Sequence, residues 1–211
     1  VARPFASEWT VWSLAHGHGF ANSIHDPSYL GDHLELSLAV IAPIYRVFPS
    51  PLTLLWIQTL AIALAGVLFS RLTKKIIGPR AGVLAAVIFF LHPFVYNAAV
   101  YEFHGLTLAL PLLFAAIWLY QLKNWKWWLI MLFVIGLMRE DLPLIAVAWA
   151  VLGALDRIPK RWWLLAGLFG IGWFGASHAI ISSANVLGGY KYTAFVPWLG
   201  TGMGQILTFP F

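Results

Sequence analysis

Polar positions are sparse along this chain, and they break it into apolar runs at 52–70, 81–99, 105–121, 126–138, 142–156 and 161–182. Crossing about 30 Å of hydrocarbon takes roughly 17–25 helical residues, and these runs are apolar enough to do so. The fourth and fifth are short. They flank Arg139-Glu140-Asp141, which is expected to sit in a funnel below headgroup level. The pattern predicts an all-α fold, a polytopic transmembrane helical bundle of about six spans over 52–182. An extracytoplasmic loop, 1–51, precedes it, and an extracytoplasmic segment, 183–211, follows. His33 to Phe48 is apolar but short and carries Pro43, so an interfacial or re-entrant helix is expected there. Residues 6–16, with Trp9, Trp12 and Leu14 among polar neighbours, predict another helix lying in the interface.

The turns between runs set the orientation. Arg71, Lys74, Lys75 and Arg80 follow the first run, Lys123 and Lys126 the third, and Arg157, Lys160 and Arg161 the fifth. Strict alternation puts these nine basic residues on one face, which the positive-inside rule makes cytoplasmic. Trp125, Trp127, Trp128, Trp162 and Trp163 stand beside them as an interfacial belt would. Glu8, Asp26, Asp32, Glu35, Glu102, Glu140 and Asp141 then face outward, and Asp156 alone of the acids stays inside.

Composition agrees. Charged residues are 10% of the chain and hydrophobic ones 61%, with a mean hydropathy of +0.80. A soluble domain carries about 25% charged residues, so a water-soluble globule is excluded. The net charge of +5 is accounted for by the basic turns and points to no nucleic acid. Cysteine is absent, which removes disulfides, thiolate metal sites and cysteine nucleophiles. The sequence opens on Val1-Ala2-Arg3-Pro4 without an initiator or an apolar leader, so the chain is expected to be part of a longer protein.

Candidate chemistry gathers in three clusters: Gly31-Asp32-His33 with Glu35, Glu102-Phe103-His104, and Arg139-Glu140-Asp141. Ionisable groups at the ends of apolar helices are costly unless hydrated or paired, which marks them as a functional site. Structural readings stand beside this. Arg139 with Glu140 or Asp141 makes an ion pair between helices, Asp32 caps the helix that follows it, and Glu102 and His104 are solvated turn residues. His16, His18 and His25 read as solvated, His92 and His178 as packed. The mixed oxygen and nitrogen groups would suit a divalent cation, although none has a compact helical ligand spacing. Gly200, Gly202 and Gly204 follow no strand, so a dinucleotide site is not expected.

The order of several motifs resembles a known family. They are Trp12-Ser13-Leu14-Ala15-His16-Gly17, Tyr29-Leu30-Gly31-Asp32-His33, Ala42-Pro43-Ile44-Tyr45, Phe48-Pro49-Ser50-Pro51 and Gln58. Leu91-His92-Pro93, Glu102-Phe103-His104 and Arg139-Glu140-Asp141-Leu142 follow. Together they resemble the multi-pass membrane proteins of bacteria and archaea catalogued as domain of unknown function 2079. Those in turn are similar to GT-C glycosyltransferases, which use lipid-linked sugar donors. The resemblance implies a cell-membrane protein that transfers a sugar from a polyprenyl-phosphate donor on the outer face, among membrane lipids. On this reading Asp32 is the base, Glu102 and His104 share the catalytic centre, and Arg139 and Lys191, with Tyr192, hold phosphate. His33, Glu140 and Asp141 complete the site. Two motifs depart from the family pattern: Arg3-Pro4-Phe5 stands where an Asp-Leu-Gly stretch is usual, and Tyr101-Glu102-Phe103-His104-Gly105 replaces Phe-Asp-Phe-His-Pro. The alternative is a non-catalytic subunit of a larger membrane complex, packing through Ala166, Gly170, Gly172 and Gly175. A transporter would call for paired broken helices, which the sequence does not suggest.

The topology has a direct check. Single-cysteine variants at Lys75 and Glu102 should react with an impermeant maleimide from opposite faces of the membrane. Labelling of both from one face overturns the alternation.

Overall fold

The computed structural model describes residues 6–23 and 28–185. These are helical apart from turns and one isolated antiparallel bridge between Ala21 and Ser28. Helix α1 (Ala6–Ala15) leads through a 3-10 turn at Tyr29–Gly31 to α2 (Ser37–Val47) and the long α3 (Pro51–Ile76). Then come α4 (Pro79–Leu91), α5 (Pro93–Val100) and a second 3-10 turn, Gly105–Leu108. The chain ends its described course in α6 (Ala109–Gln121), α7 (Trp125–Gly136), α8 (Pro143–Leu155) and α9 (Lys160–Ala184). Pro51, Pro79, Pro93 and Pro143 each open a helix, where the missing N–H would have no intrahelical partner anyway.

Length sorts the helices. α3 and α9, of 26 and 25 residues, are long and apolar enough to cross a membrane. α4 and α5 reach that length only together, and they are bent by 53°. The continuous helix expected over 81–99 is therefore broken at His92-Pro93. Pro93 removes a ladder donor and its ring clashes with the carbonyl four residues back. His92 turns extended and caps α5, its Nδ1 accepting from the Phe94 amide at 3.3 Å. α6, α7 and α8 have 13, 12 and 13 residues. At 1.5 Å per residue they rise about 18–20 Å, short of the roughly 30 Å of hydrocarbon. Where about six spans were expected, the fourth and fifth of them short, the described residues hold two long apolar helices, a third that is broken, and shorter apolar helices beside them.

The N-terminal region also departs from expectation. Instead of an open loop, α1 and α2 close on each other around Val11, Ala15, Leu38, Ile41 and Tyr45, joined by Leu54 of α3 and Phe103. Asp32 does not cap α2, whose cap is Leu36 without a side-chain bond; it ends the 3-10 turn Tyr29–Gly31 instead. Gly31 lies against the end of α9, where a Cβ would come within 3.0 Å of the Ala184 carbonyl oxygen. The second core joins α6 to α9 around Trp128, Leu132, Ile135, Ala146 and Ala166.

The contacts give the bundle two chemically distinct ends. The N-terminal segment meets the α5–α6 turn, the α7–α8 turn and the tail of α9 at one end. At the other end the Tyr120 hydroxyl donates to Asp156 at 2.5 Å, and Lys75 stacks over the Trp118 ring.

Close helix approach is set by small residues. Ala166 and Gly170, expected to face partner proteins, are buried within the fold; a Cβ on Gly170 would lie 2.7 Å from the Pro143 carbonyl oxygen. Gly172 and Gly175 face open space. Gly170→Val should therefore destabilise by about 1–3 kcal/mol through overpacking, whereas Gly172→Ala should be neutral or stabilising. Thermal unfolding in detergent checks the contrast, and equal effects would remove it.

Candidate functional site

At the acidic end, the first cluster is built by the turn after Tyr29. Ser28 accepts from the Leu30 amide, and the His33 amide donates to the Tyr29 carbonyl at 2.9 Å. This winds the segment so that His33 faces α7–α8. Its Nδ1 donates to Glu140 Oε1 at 2.8 Å, and the Leu34 amide donates to Glu140 Oε2 at 3.2 Å. The Leu36 amide reaches the Leu137 carbonyl at 3.2 Å. Glu140 is 3% exposed, so both its oxygens are satisfied out of water.

Burial opposes charge at both partners, but the hydrogen bond and the mutual field win. The His33 pKa is raised and that of Glu140 lowered, with the Leu34 amide helping the carboxylate. Beside them lies Glu35, also buried. Desolvation pushes its carboxyl up, against the fields of His33 and Arg139. The Tyr29 hydroxyl donates to Glu35; burial and the fields of Glu35 and Asp32 keep that phenol protonated. Glu35 Oε2 meets no protein donor, and it sits 3.0 Å from where a Cβ on Gly105 would be. Asp32 is 6% exposed, and its field is felt at His33 and Tyr29.

Arg139 turns to Asp141 in a bidentate pair, Nε to Oδ1 at 2.7 Å and Nη2 to Oδ2 at 2.6 Å. That bond holds the Asp141 carboxyl below its usual range and the guanidinium above its own. The fork expected to meet a phosphate is thus already engaged within its own turn. The structure brings Asp32, His33, Arg139, Glu140 and Asp141 into one electrostatic neighbourhood. Lys191 and Tyr192, like His25 and Asp26, lie outside the described residues.

Glu102 and His104 make a separate unit. Gln58, fully buried on α3, donates to the carbonyls of Ala98 at 2.7 Å and Glu102 at 3.3 Å. It also accepts from the His104 amide at 2.8 Å and the Thr107 hydroxyl at 3.2 Å. One side chain therefore ties the end of α5 to the next turn. His104 Nδ1 lies 2.9 Å from the Glu102 carbonyl oxygen, which can only accept, so Nδ1 carries the proton. Nε2 lies 3.5 Å from Glu102 Oε1. Glu102 lines a cleft of about 300 Å³ together with Glu8, Pro51, Leu54, Leu55, Val100 and Phe103. Burial raises the Glu8 carboxyl, and the Ser7 hydroxyl anchors α1 to the Phe103 carbonyl at 2.9 Å.

Sequence reasoning missed two residues here. Glu8 stands where the resemblance offers only a departure, and Gln58 is a motif residue to which the sequence assigns no role. An amide inside an otherwise apolar run was the available signal for Gln58, since burying it demands partners. Among the described residues no three His, Asp or Glu side chains gather closely enough to hold a metal ion.

A family model described as "Predicted membrane protein (DUF2079)" matches residues 8–202. No curated protein and no solved structure matches the chain.

The His33–Glu140 clamp carries a pH signature. A raised His33 pKa contributes stability that is full below the usual 6.5 and lost as pH rises through the folded value. A lowered Glu140 pKa contributes above the usual 4.5 and is lost as pH falls through the folded value. The clamp is thus strongest between 4.5 and 6.5. Amide exchange at Leu34 and Leu36, corrected for its intrinsic rate, should be faster at pH 8 than at pH 6. Glu140→Gln should erase that difference; a pH effect surviving the substitution removes the clamp.

Proposed function

The chain belongs to the family of predicted membrane proteins catalogued as domain of unknown function 2079, and from its acidic end we propose that it transfers a sugar from a polyprenyl phosphate to an acceptor hydroxyl. The observation that carries this reading is the Glu102 cleft: a carboxylate with a histidine 3.5 Å away, lining a mostly apolar pocket on an apolar helical bundle. An acceptor hydroxyl entering the cleft gives its proton to Glu102. The acceptor oxygen then bonds to the anomeric carbon as the bond from that carbon to the phosphate oxygen breaks. The electron pair leaves on the polyprenyl phosphate. Glu8, which lines the same cleft, favours a polyhydroxylated acceptor, which its carboxyl can orient. Asp32 and His33 form the buried flank, and Arg139, once drawn from Asp141, offers donors to the departing phosphate, as does Lys191.

The same reading makes the protein multi-pass in the cell membrane, with six crossings, its basic turns cytoplasmic and its acidic end outside. The shorter α6, α7 and α8 cross where the funnel holding Arg139-Glu140-Asp141 thins the hydrocarbon. The separation of nine basic residues from most of the acids supports this orientation.

One observation favours a second reading, a structural subunit of a membrane complex. His33–Glu140 and Arg139–Asp141 are closed pairs, as a purely structural site would have. The two readings separate in one assay. Purified full-length protein, reconstituted with a panel of polyprenyl-phosphate hexoses, should release polyprenyl phosphate when a polyhydroxylated acceptor is added. Glu102→Gln should slow release by about 10²–10⁴-fold, the usual contribution of a general base, with unchanged melting. Absence of release with every donor would leave the structural subunit.

A further inference from the structure

The opposite end of the bundle carries a second, independently built pocket, of about 480 Å³, between the α6–α7 and α8–α9 turns. Tyr120, Lys123, Trp125, Asp156, Arg157 and Ile158 line it. The two turns are made alike. α6 closes with the Asn124 amide on the Leu119 carbonyl and the Lys123 amide on Tyr120; α8 closes with the Ile158 amide on Gly153 and the Arg157 amide on Ala154. Each closure demands a left-handed residue, and glycine is the usual occupant. Here Lys123 sits at φ 55° and Arg157 at φ 54°. A backbone cost is thus accepted twice, both times for an exposed cation at the same pocket. Cytoplasmic retention of a turn needs positive charge in it but no particular backbone conformation, so topology alone does not explain the pair.

The Tyr120–Asp156 hydrogen bond ties the two turns together and keeps the cations on a common space. Asp156 opposes an anion, but its carboxylate is turned to the Tyr120 hydroxyl, and Lys126, Lys160 and Arg161 add positive charge from the same turns. Trp125, stacked edge-on against Tyr120 at 5.3 Å, gives the rim an interfacial aromatic. The α8–α9 turn also borders an apolar groove of about 420 Å³: Leu155 lines the groove and Asp156 the pocket. Val151, Trp163, Leu164 and Leu168 also line the groove, together with the small Ala150 and Gly167. Adjacent places for a phosphate and for a hydrocarbon chain match one molecule. We propose that this end holds an anionic phospholipid, its phosphate between Lys123 and Arg157 and an acyl chain along α8 and α9.

The left-handed turns supply the test. Lys123→Gly/Arg157→Gly removes both cations and installs the residue those backbone positions favour, so the protein folds with equal or higher melting temperature. Native mass spectrometry of the full-length protein in detergent, with equal phosphatidylglycerol and phosphatidylcholine added, reads the bound lipid. The wild type should favour phosphatidylglycerol by about thirtyfold, as two surface cations at their usual strength imply, and the variant should lose that preference. Equal retention of both lipids by the wild type, or an undiminished preference in the variant, overturns the site. Inorganic phosphate raising the melting temperature as much as phosphatidylglycerol does would assign the pocket to a solute and overturn the lipid.

Discussion

The acidic end depends on a single buried carboxylate. Glu140 sits where water does not reach, and an ionised group there survives only if both oxygens are met. One is met by His33 and the other by the Leu34 amide, so charge neutralisation and backbone satisfaction come from the same short segment. That arrangement holds residues 33–36 on the α7–α8 turn, which sets Glu35 against Gly105 in the 3-10 turn before α6. α1 and α2 are tied to the rest of the fold partly because a helix junction needs a counter-ion.

The two ends of the bundle solve opposite problems. The acidic end takes charge out of water and compensates it with partners drawn from distant parts of the chain. The basic end leaves its cations in the open and spends backbone strain to aim them. A protein whose sides are almost wholly apolar, with Trp56, Leu60, Leu84, Ile88, Leu168 and Ile171 all exposed, concentrates its chemistry at its ends.

Helical class, the position of most apolar runs and the division into acidic and basic turns were legible in the sequence because each depends on local composition. The stops at Gln121 and Leu155 were legible too, because the basic turns that hold Lys123 and Arg157 interrupt the apolar runs there. The break inside 81–99 was not: in nearly uniform apolar sequence hydropathy does not mark where a helix stops, and this stop is made by Pro93. Of the site, Asp32, His33, Arg139, Glu140 and Asp141 could be gathered by the cost of their charges. Glu8 could not: its place beside Glu102 in the cleft exists only once α1 closes on α2 in the core that Leu54 and Phe103 join.

The break at His92-Pro93 has a mechanical consequence. A helix joined through one extended residue is a rod on a pivot, and α5, at about 1.5 Å per residue over its eight residues, is roughly 12 Å long. Ten degrees of swing at the pivot therefore carries its far end through about 2 Å, enough to change how far Val100 stands from Leu54 and Leu55 across the cleft. Gln58 is the stay that holds the rod, since it grips carbonyls at Ala98 and Glu102 while fixed to the straight α3. The width of the cleft is thus set by leverage about residue 92, with the amide of one glutamine as its stop.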